Sequence, residues 1–398
     1  MTAKPDAREY LPRLIAWEVT RSCPMACKHC RAAAQPKPYA GELTTDEGKR
    51  VLDSIASFAK PTMILTGGEP MLRTDIYELA GYAHSLGLPV VMAPCGMYVT
   101  RETVERMKRS GIHCISISLD GATAATHDDF RGVAGAFDMA MAAVEAARDG
   151  DLNFQINTTI TQHNLKELPA LLELTKRLGA SAFNPFLLVP TGRGKDLAGA
   201  EISPEDYEAT LHWLAEQEGR HDIAIRVTCA PHYTRILKQH PKVTGCDAVS
   251  VRVVPPHEHP VETPGGPSAR PAGGTPLGGA GHGGAGPGGA GHGGSGGKGC
   301  MGGKAFAFIS HIAKVQICGF LETVCGDLRE TNFDFRKIWD ESEVFKKIRD
   351  VDAYAGKCGV CEYRRICGGC RARAFAMTDD YLAEEPFCVY QPGRRGEE

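Results

Sequence analysis

The chain has 398 residues, 42% of them hydrophobic and 23% charged, with a formal net charge of −3. That balance supports a sizeable core in two or three structural units and excludes a basic nucleic-acid coat or an acidic tail as the main theme. No apolar run approaches the ~20 residues that span a bilayer. The opening MTAKPDAREY lacks the apolar stretch of a signal peptide, so the expectation is a cytoplasmic protein acting without membrane or nucleic acid. Fifteen cysteines in such a chain point to metal or redox chemistry rather than disulfides.

In chain order, a lead of residues 1–13 precedes short β-branched runs at Leu14–Thr20, Thr62–Thr66, Val90–Ala93, Cys114–Leu119, Phe154–Ile160 and Ala182–Val189. Helical periodicity fills the gaps at Thr45–Phe58, Asp75–Leu86, Thr100–Ser110, Ala136–Arg148 and Leu165–Leu178. Thr45 or Asp46 suits the first N-cap, and Gly87, Gly111 and Gly179 sit where helices stop. Strands alternating with helices predict an α/β protein with a parallel sheet over 14–225, curled as an incomplete barrel or open and doubly wound. Either way, ligands belong at the C-terminal strand edges. Glu201–Gly219 is a further helix, and a connecting segment follows at 226–255. Residues 256–299 are dominated by Gly, Pro and His and bury too little apolar surface to fold, so a disordered insertion is expected there. A cysteine-dense unit at 300–392 and a tail at 393–398 complete the chain.

Cys23, Cys27 and Cys30 form C-x3-C-x2-C directly after the first strand. Three thiolates on one tight loop suit three corners of a cubane cluster and leave the fourth iron open. A structural zinc site needs a fourth ligand, and His29 inside the loop reaches poorly. Gly67-Gly68-Glu69-Pro70 follows the second strand, with glycines that allow close backbone approach and a carboxylate that accepts from an ammonium. Alternation puts Ser116, Ser118 and Asp120 on one face at the end of the fourth strand, with Asn157 on the fifth. Arg131 carries a guanidinium fork suited to a carboxylate.

Cys-Pro-Met-Ala-Cys-Lys-His-Cys resembles the signature of the radical S-adenosylmethionine (SAM) family, with His29 at the usual aromatic position. Over Leu14 to about Val189 the resemblance implies a partial (β/α)6 TIM-like barrel. It implies a 4Fe–4S cluster on Cys23, Cys27 and Cys30, whose open iron chelates SAM. It also implies a methionine-amino clamp at Gly67–Pro70, ribose contacts from Ser116, Ser118 and Asp120, a carboxylate partner in Arg131 and a further contact from Asn157.

The run Cys358-x2-Cys361-x5-Cys367-x2-Cys370, then Cys388, with Cys300, Cys318 and Cys325 upstream, resembles the SPASM extension of that family. Ala313 stands where that pattern has glycine. The resemblance implies one or two auxiliary 4Fe–4S clusters. Cys358, Cys361, Cys367 and Cys388 would ligate one. Cys300, Cys318 and Cys370 would ligate another, with Cys325 as its fourth ligand. Cys229 would face substrate or join a cluster, Cys95 lies at the active-site edge, and Cys114 belongs to the core.

Segments such as LIAWEVTRSCPMACKHCRAA, NPFLLVPTGRGK, TCAPHYTRI and CMGGKAFAFISH resemble the heme b synthase family of radical SAM/SPASM enzymes. That resemblance implies oxidative decarboxylation of two propionates of Fe-coproporphyrin III (coproheme) to vinyl groups, giving heme b. A 5′-deoxyadenosyl radical abstracts a propionate β-hydrogen, and an auxiliary cluster takes the electron. A low-potential donor such as a ferredoxin or flavodoxin, and a monomer, go with it. Candidate propionate partners are Arg21, Arg31, Arg193, Lys195, Arg235, Arg371 and Arg373; candidate iron ligands are His232 and His311. A didecarboxysiroheme deacetylase or a peptide maturase remains the alternative.

Overall fold

A computed structural model describes residues 10–197, 199–218, 220, 223–240 and 299–393. The expected insertion at 256–299, all but its last residue, lies outside them, as do 1–9, 241–255 and 394–398.

The strands β1 (Leu14–Thr20), β2 (Thr62–Gly67), β3 (Val90–Met92), β4 (Ile112–Ser118), β5 (Asn153–Ile160), β6 (Ala182–Leu187) and β7 (Ala224–Ile225) lie side by side in chain order, all parallel. Between them run α1 (Thr45–Ala56), α2 (Ile76–Ser85), α3 (Arg101–Arg109), α4 (Ala124–Arg131), α5 (Ala136–Asp149), α6 (Leu168–Leu178) and α7 (Pro204–Gln217), with α8 (His232–Gln239) after β7. Six strand–helix units in sequential order are the expected partial (β/α)6 barrel, extended by the two residues of β7. The barrel's sheet does not stop at β1. β8 (Phe306–Ile309) from the cysteine-rich region pairs parallel with β1, and β9 (Lys314–Cys318) and β10 (Leu321–Asp327) continue it antiparallel. Four helices follow: α9 (Phe335–Glu341), α10 (Glu343–Arg349), α11 (Gly356–Val360) and α12 (Arg371–Thr378).

Strand alternation sorts the side chains. Ile15, Trp17 and Val19 of β1, Met63 and Leu65 of β2, Ile115 and Ile117 of β4 and Ile156 of β5 are buried in the main core. Each such side chain contributes about 1.5–3 kcal/mol by leaving water. The residues between them, Glu18, Ser116, Ser118 and Asn157 among them, occupy the other face of the sheet, where the polar groups collect. No helix among the described residues is long and apolar enough to cross a membrane.

The N-cap of α1 is Thr44, one residue before the expected pair, because its side chain accepts from Glu47 N–H while Glu47 reaches back in a capping box. α4 was not expected as a helix. Thr123 caps it, and its buried side carries His127 and Phe130.

Candidate active site

The loop after β1 holds Cys23 and Cys27 buried and Cys30 half-buried. Its shape is fixed from outside. Arg193 Nε donates to Cys27 O at 2.8 Å, its Nη1 donates to Ala34 O at 2.6 Å, and its backbone N–H donates to Cys30 O at 3.0 Å. Gly192 passes so close that a Cβ there would stand 2.1 Å from Arg31 O. Arg193, expected at a propionate, clamps the cysteine loop through Nε and Nη1, while its Nη2 is buried without a partner among the described residues; Lys195 two residues on is exposed. Burial, together with the charges of Cys27, Glu69 and Cys30, pushes the Cys23 thiol up to about 12. Three thiols on one loop, with the ionisation of Cys23 opposed in this way, fit a cationic iron cluster, which reverses that penalty.

Gly67 and Gly68 allow a close approach, but the partner is the chain itself. A Cβ on either would meet Thr20 O or Ser22 O at 2.1 and 2.3 Å. Pro70 begins a single 3-10 turn, and Glu69, fully buried, caps it. Its carboxylate accepts from Met71 N–H at 2.8 Å and Cys95 N–H at 2.5 Å, and burial raises its pKa. Cys95, expected at this edge, is therefore in contact with the Glu69 turn.

Asp120 lies at the centre of a second cluster. Its Oδ1 accepts from Thr159 N–H at 2.6 Å, and its Oδ2 sits 2.6 Å from Arg131 Nη2 and 3.6 Å from His29 Nε2. Burial opposes the Asp120 charge, but Arg131 and His29 outweigh it and hold the carboxyl below its ordinary value. Arg131 also donates to Cys27 Sγ at 3.6 Å, so it ties the end of α4 to the cysteine loop. His29 stacks on Phe130 with ring centroids 4.2 Å apart, which explains an imidazole at an aromatic position. Beside this cluster, Gln155 donates to Ser116 Oγ at 2.6 Å, Ser118 stands opposite Asn157, and Asn184 donates to Asn157 Oδ1 at 2.8 Å. Gln155 and Asn184 extend the polar row beyond the expected residues; they are the inward positions of β5 and β6, which alternation alone marks.

Glu18 was passed over in the sequence, and the structure makes it a hub. It is fully buried at an inward position of β1. Arg21 Nε and Nη2 donate to its two oxygens at 3.0 and 3.1 Å, Arg31 Nη2 lies 3.6 Å away, and His311 Nδ1 lies at 3.2 Å. Burial opposes the charge, but His311, Arg31 and Arg21 together lower the carboxyl to about 2. Arg31 also lies over the Phe308 ring, 4.6 Å from its centroid. Three expected substrate residues, Arg21, Arg31 and His311, thus converge on one carboxylate. A glutamate at an inward position of LIAWEVT was the available signal, since a buried charge demands partners.

The C-terminal cysteines divide into two groups. Cys358, Cys361, Cys367 and Cys388 line one cavity. N–H groups point at the sulfurs: Tyr363 to Cys361 at 3.4 Å, Gly369 to Cys367 at 3.5 Å, and Glu385 and Arg371 Nη2 to Cys358 at 3.4 Å each. Four thiols around one space, with donors aimed at them, fit an iron–sulfur cluster. Cys370 belongs to the other group. The Cys229 thiol hydrogen-bonds to it, which lowers Cys370 and raises Cys229, with Cys300 and Cys318 close enough to oppose ionisation further. Cys325, expected as the fourth ligand of that group, has its sulfur by Ser342 and 3.9 Å from Thr323 O. Cys229 is the thiol that meets Cys370. It adopts φ 61°, rare for a residue with a side chain, and its carbonyl is held by Tyr207 Oη and Arg373 Nη1 at 3.1 Å each. Ala313 likewise takes φ 69°, the conformation glycine supplies at that place in the resembling pattern.

The remaining cationic candidates are internal. Arg235 pairs with Glu208 through two contacts of 2.6 Å. Arg371 donates to Tyr381 O, Ala383 O and Cys358, and Arg373 to Leu187 O, Leu188 O and Cys229 O; both are fully buried. His232 is not placed with His311. It is buried against the four-cysteine cavity, with both ring nitrogens unpartnered among the described residues.

The radical SAM superfamily pattern matches residues 17–175. SuiB of Streptococcus suis bound to S-adenosylmethionine superposes with a TM-score of 0.65 at 13% identity, covering 96% of this chain and 78% of that one, a likeness of fold. Barrel, cysteine loop and pattern together define a radical SAM enzyme, whose cofactors are a 4Fe–4S cluster and SAM. Two relatives are far more similar. An AdoMet-dependent heme synthase of Methanosarcina barkeri is 44% identical over 384 residues, covering 96% of this chain and 98% of its own. One from Nitratidesulfovibrio vulgaris is 44% identical over 382 residues, covering 96% and 93%. The chain belongs to the AdoMet-dependent heme synthase family.

Proposed function

We propose that this enzyme converts two propionates of Fe-coproporphyrin III to vinyl groups, giving heme b. The observation that carries the reading is the end-to-end likeness to heme synthases, which takes in barrel and cysteine-rich region alike. When bound, the cluster on Cys23, Cys27 and Cys30 supplies an electron that cleaves SAM to a 5′-deoxyadenosyl radical able to take a propionate β-hydrogen. This chain's own residues do the positioning. Arg193 and Gly192 hold the loop that presents the thiolates. Glu69, Ser116, Ser118, Asp120, Arg131 and Asn157 form the SAM side, with Glu69 and Arg131 nearest the loop.

Arg21 and Arg31 are the forks for propionates, oriented by Glu18, since a guanidinium presents paired donors in carboxylate geometry. Glu18 accepts from His311 Nδ1, which fixes the tautomer that leaves Nε2 able to bind iron. Each decarboxylation removes one hydrogen atom, one CO2 and one electron. The thiols of Cys358, Cys361, Cys367 and Cys388 hold the acceptor, and Cys229, Cys300, Cys318 and Cys370 hold a second cluster. A low-potential donor such as a ferredoxin or flavodoxin reduces the first cluster, and the enzyme acts in the cytoplasm as a monomer.

The test is anaerobic incubation of reconstituted protein with SAM, reductant and coproheme, followed by mass spectrometry of the tetrapyrrole. Two successive losses, each of one CO2 and two hydrogens, are expected. An unchanged tetrapyrrole with 5′-deoxyadenosine still forming would refute the substrate, and didecarboxysiroheme would be tried next.

A further inference from the structure

His232 begins α8, a helix that lies outside the cysteine-rich stretch of sequence, yet it lines the cavity of Cys358, Cys361, Cys367 and Cys388. It is 1% exposed, and neither Nδ1 nor Nε2 meets a partner among the described residues. A buried imidazole with two unmet nitrogens is costly unless something in the adjoining space meets it. The ring plane is fixed by the edge of Tyr207, with centroids 5.2 Å apart, and Tyr207 is itself anchored to Cys229 O. One helical turn on, Arg235 lines the same cavity. Its Nη atoms are bound to Glu208 and Gln239, but its Nε is buried without a partner. One face of α8 therefore brings two unmatched N–H donors to a space walled by four thiols. The same thiols also receive hydrogen bonds from the backbone N–H groups of Tyr363, Gly369 and Glu385 and from Arg371 Nη2.

We propose that His232, with Arg235 beside it, donates hydrogen bonds to the sulfur atoms of the cluster held in this cavity and so raises its reduction potential. An N–H donated to a cluster sulfur withdraws charge and favours the state with the extra electron. α8 is thus a tuning element that makes this cluster a better electron acceptor. The inference rests on the reading that the four thiols hold a cluster, and its test separates the two.

The experiment is an EPR-monitored redox titration of the whole chain, reconstituted without oxygen. The signal of this cluster is the one lost in Cys361→Ala. His232→Leu removes both ring nitrogens and is expected to shift that signal to lower potential at unchanged iron content. His232→Gln, which keeps an N–H, is expected between Leu and the parent. An unmoved or raised midpoint in His232→Leu overturns the proposal. If His232→Leu loses iron, Arg235→Lys, which keeps a cation at Glu208 but removes the Nε–H, decides instead: a negative shift supports the proposal and no shift overturns it. Full iron and every EPR signal retained in Cys361→Ala would overturn the cluster reading and the inference together.

Discussion

The two cysteine regions of this molecule are built on opposite plans. The loop after β1 gathers three thiols within eight residues, and outside groups, chiefly Arg193 and Arg131, brace it. The C-terminal region draws its thiols from five separate stretches, Cys229, Cys300, Cys318, Cys358–Cys370 and Cys388, and buried ionic side chains hold them in register. Arg371 and Arg373 donate to carbonyls and a thiol across those stretches, and Glu385 accepts from Cys370 N–H at 2.7 Å while lying 3.5 Å from Arg373. A local loop keeps its shape when one ligand is lost. A site assembled from distant segments depends on its crosslinks.

The largest expected effect sharpens that contrast. Cys27→Ala should abolish SAM cleavage, read as 5′-deoxyadenosine, while the loop's backbone hydrogen bonds persist. Arg373→Met strikes the other plan. It leaves Glu385 buried without its cation, and removing one partner of such a pair costs about 3–5 kcal/mol. A lowered denaturant midpoint and lost iron are expected, and an unchanged midpoint would break the contrast. Cys229→Ser should lower iron content, whereas Cys325→Ser should leave it at the parent level; the reverse pattern would restore Cys325 as a ligand.

Glu18→Gln should raise the KM for coproheme more than it lowers kcat, because Arg21, Arg31 and His311 lose their common anchor. Its pH signature has a definite sign. The folded carboxyl sits at about 2 against an ordinary 4.5, a depression worth about 3 kcal/mol. That contribution is complete above pH ~4.5 and is lost as pH falls toward ~2. The stability gap between parent and Glu18→Gln, measured by denaturant titration, should therefore narrow across that window and stay constant above it.

The smallest effect is at Ala313. Glycine there relieves about 1–2 kcal/mol of left-handed strain. It also loses a buried methyl worth about 0.8 kcal/mol and adds unfolded-state entropy of about 0.5–1 kcal/mol. Ala313→Gly should thus shift stability by less than about 1 kcal/mol, whereas Ala313→Val should destabilise clearly.

Much of the barrel was legible because its signals are local. β1 runs over Leu14–Thr20 as its apolar pattern predicts, and C-x3-C-x2-C marks its loop by spacing alone. α4 was missed because AATHDDFR has little periodicity, and its contacts with α5 and with Asp120 decide its fold. β8 was missed as a barrel strand because its pairing with β1 joins segments 292 residues apart in sequence. Distance likewise hid the partition of the cysteines, with Cys229 joining Cys370 across 141 residues of sequence. Arginines misled for a related reason. Composition cannot tell a guanidinium awaiting a ligand from one, like Arg193 or Arg373, that already donates to carbonyls.

The central claim is a division of labour: the first cysteine region makes the radical and the second receives the electron. The direct measurement is the ratio of 5′-deoxyadenosine to vinyl groups formed, in the parent and in Cys361→Ala, under identical anaerobic conditions. A ratio near one in the parent, with deoxyadenosine but little vinyl product in Cys361→Ala, is predicted. Equal loss of both products in Cys361→Ala would contradict the claim and leave the second region a folding element.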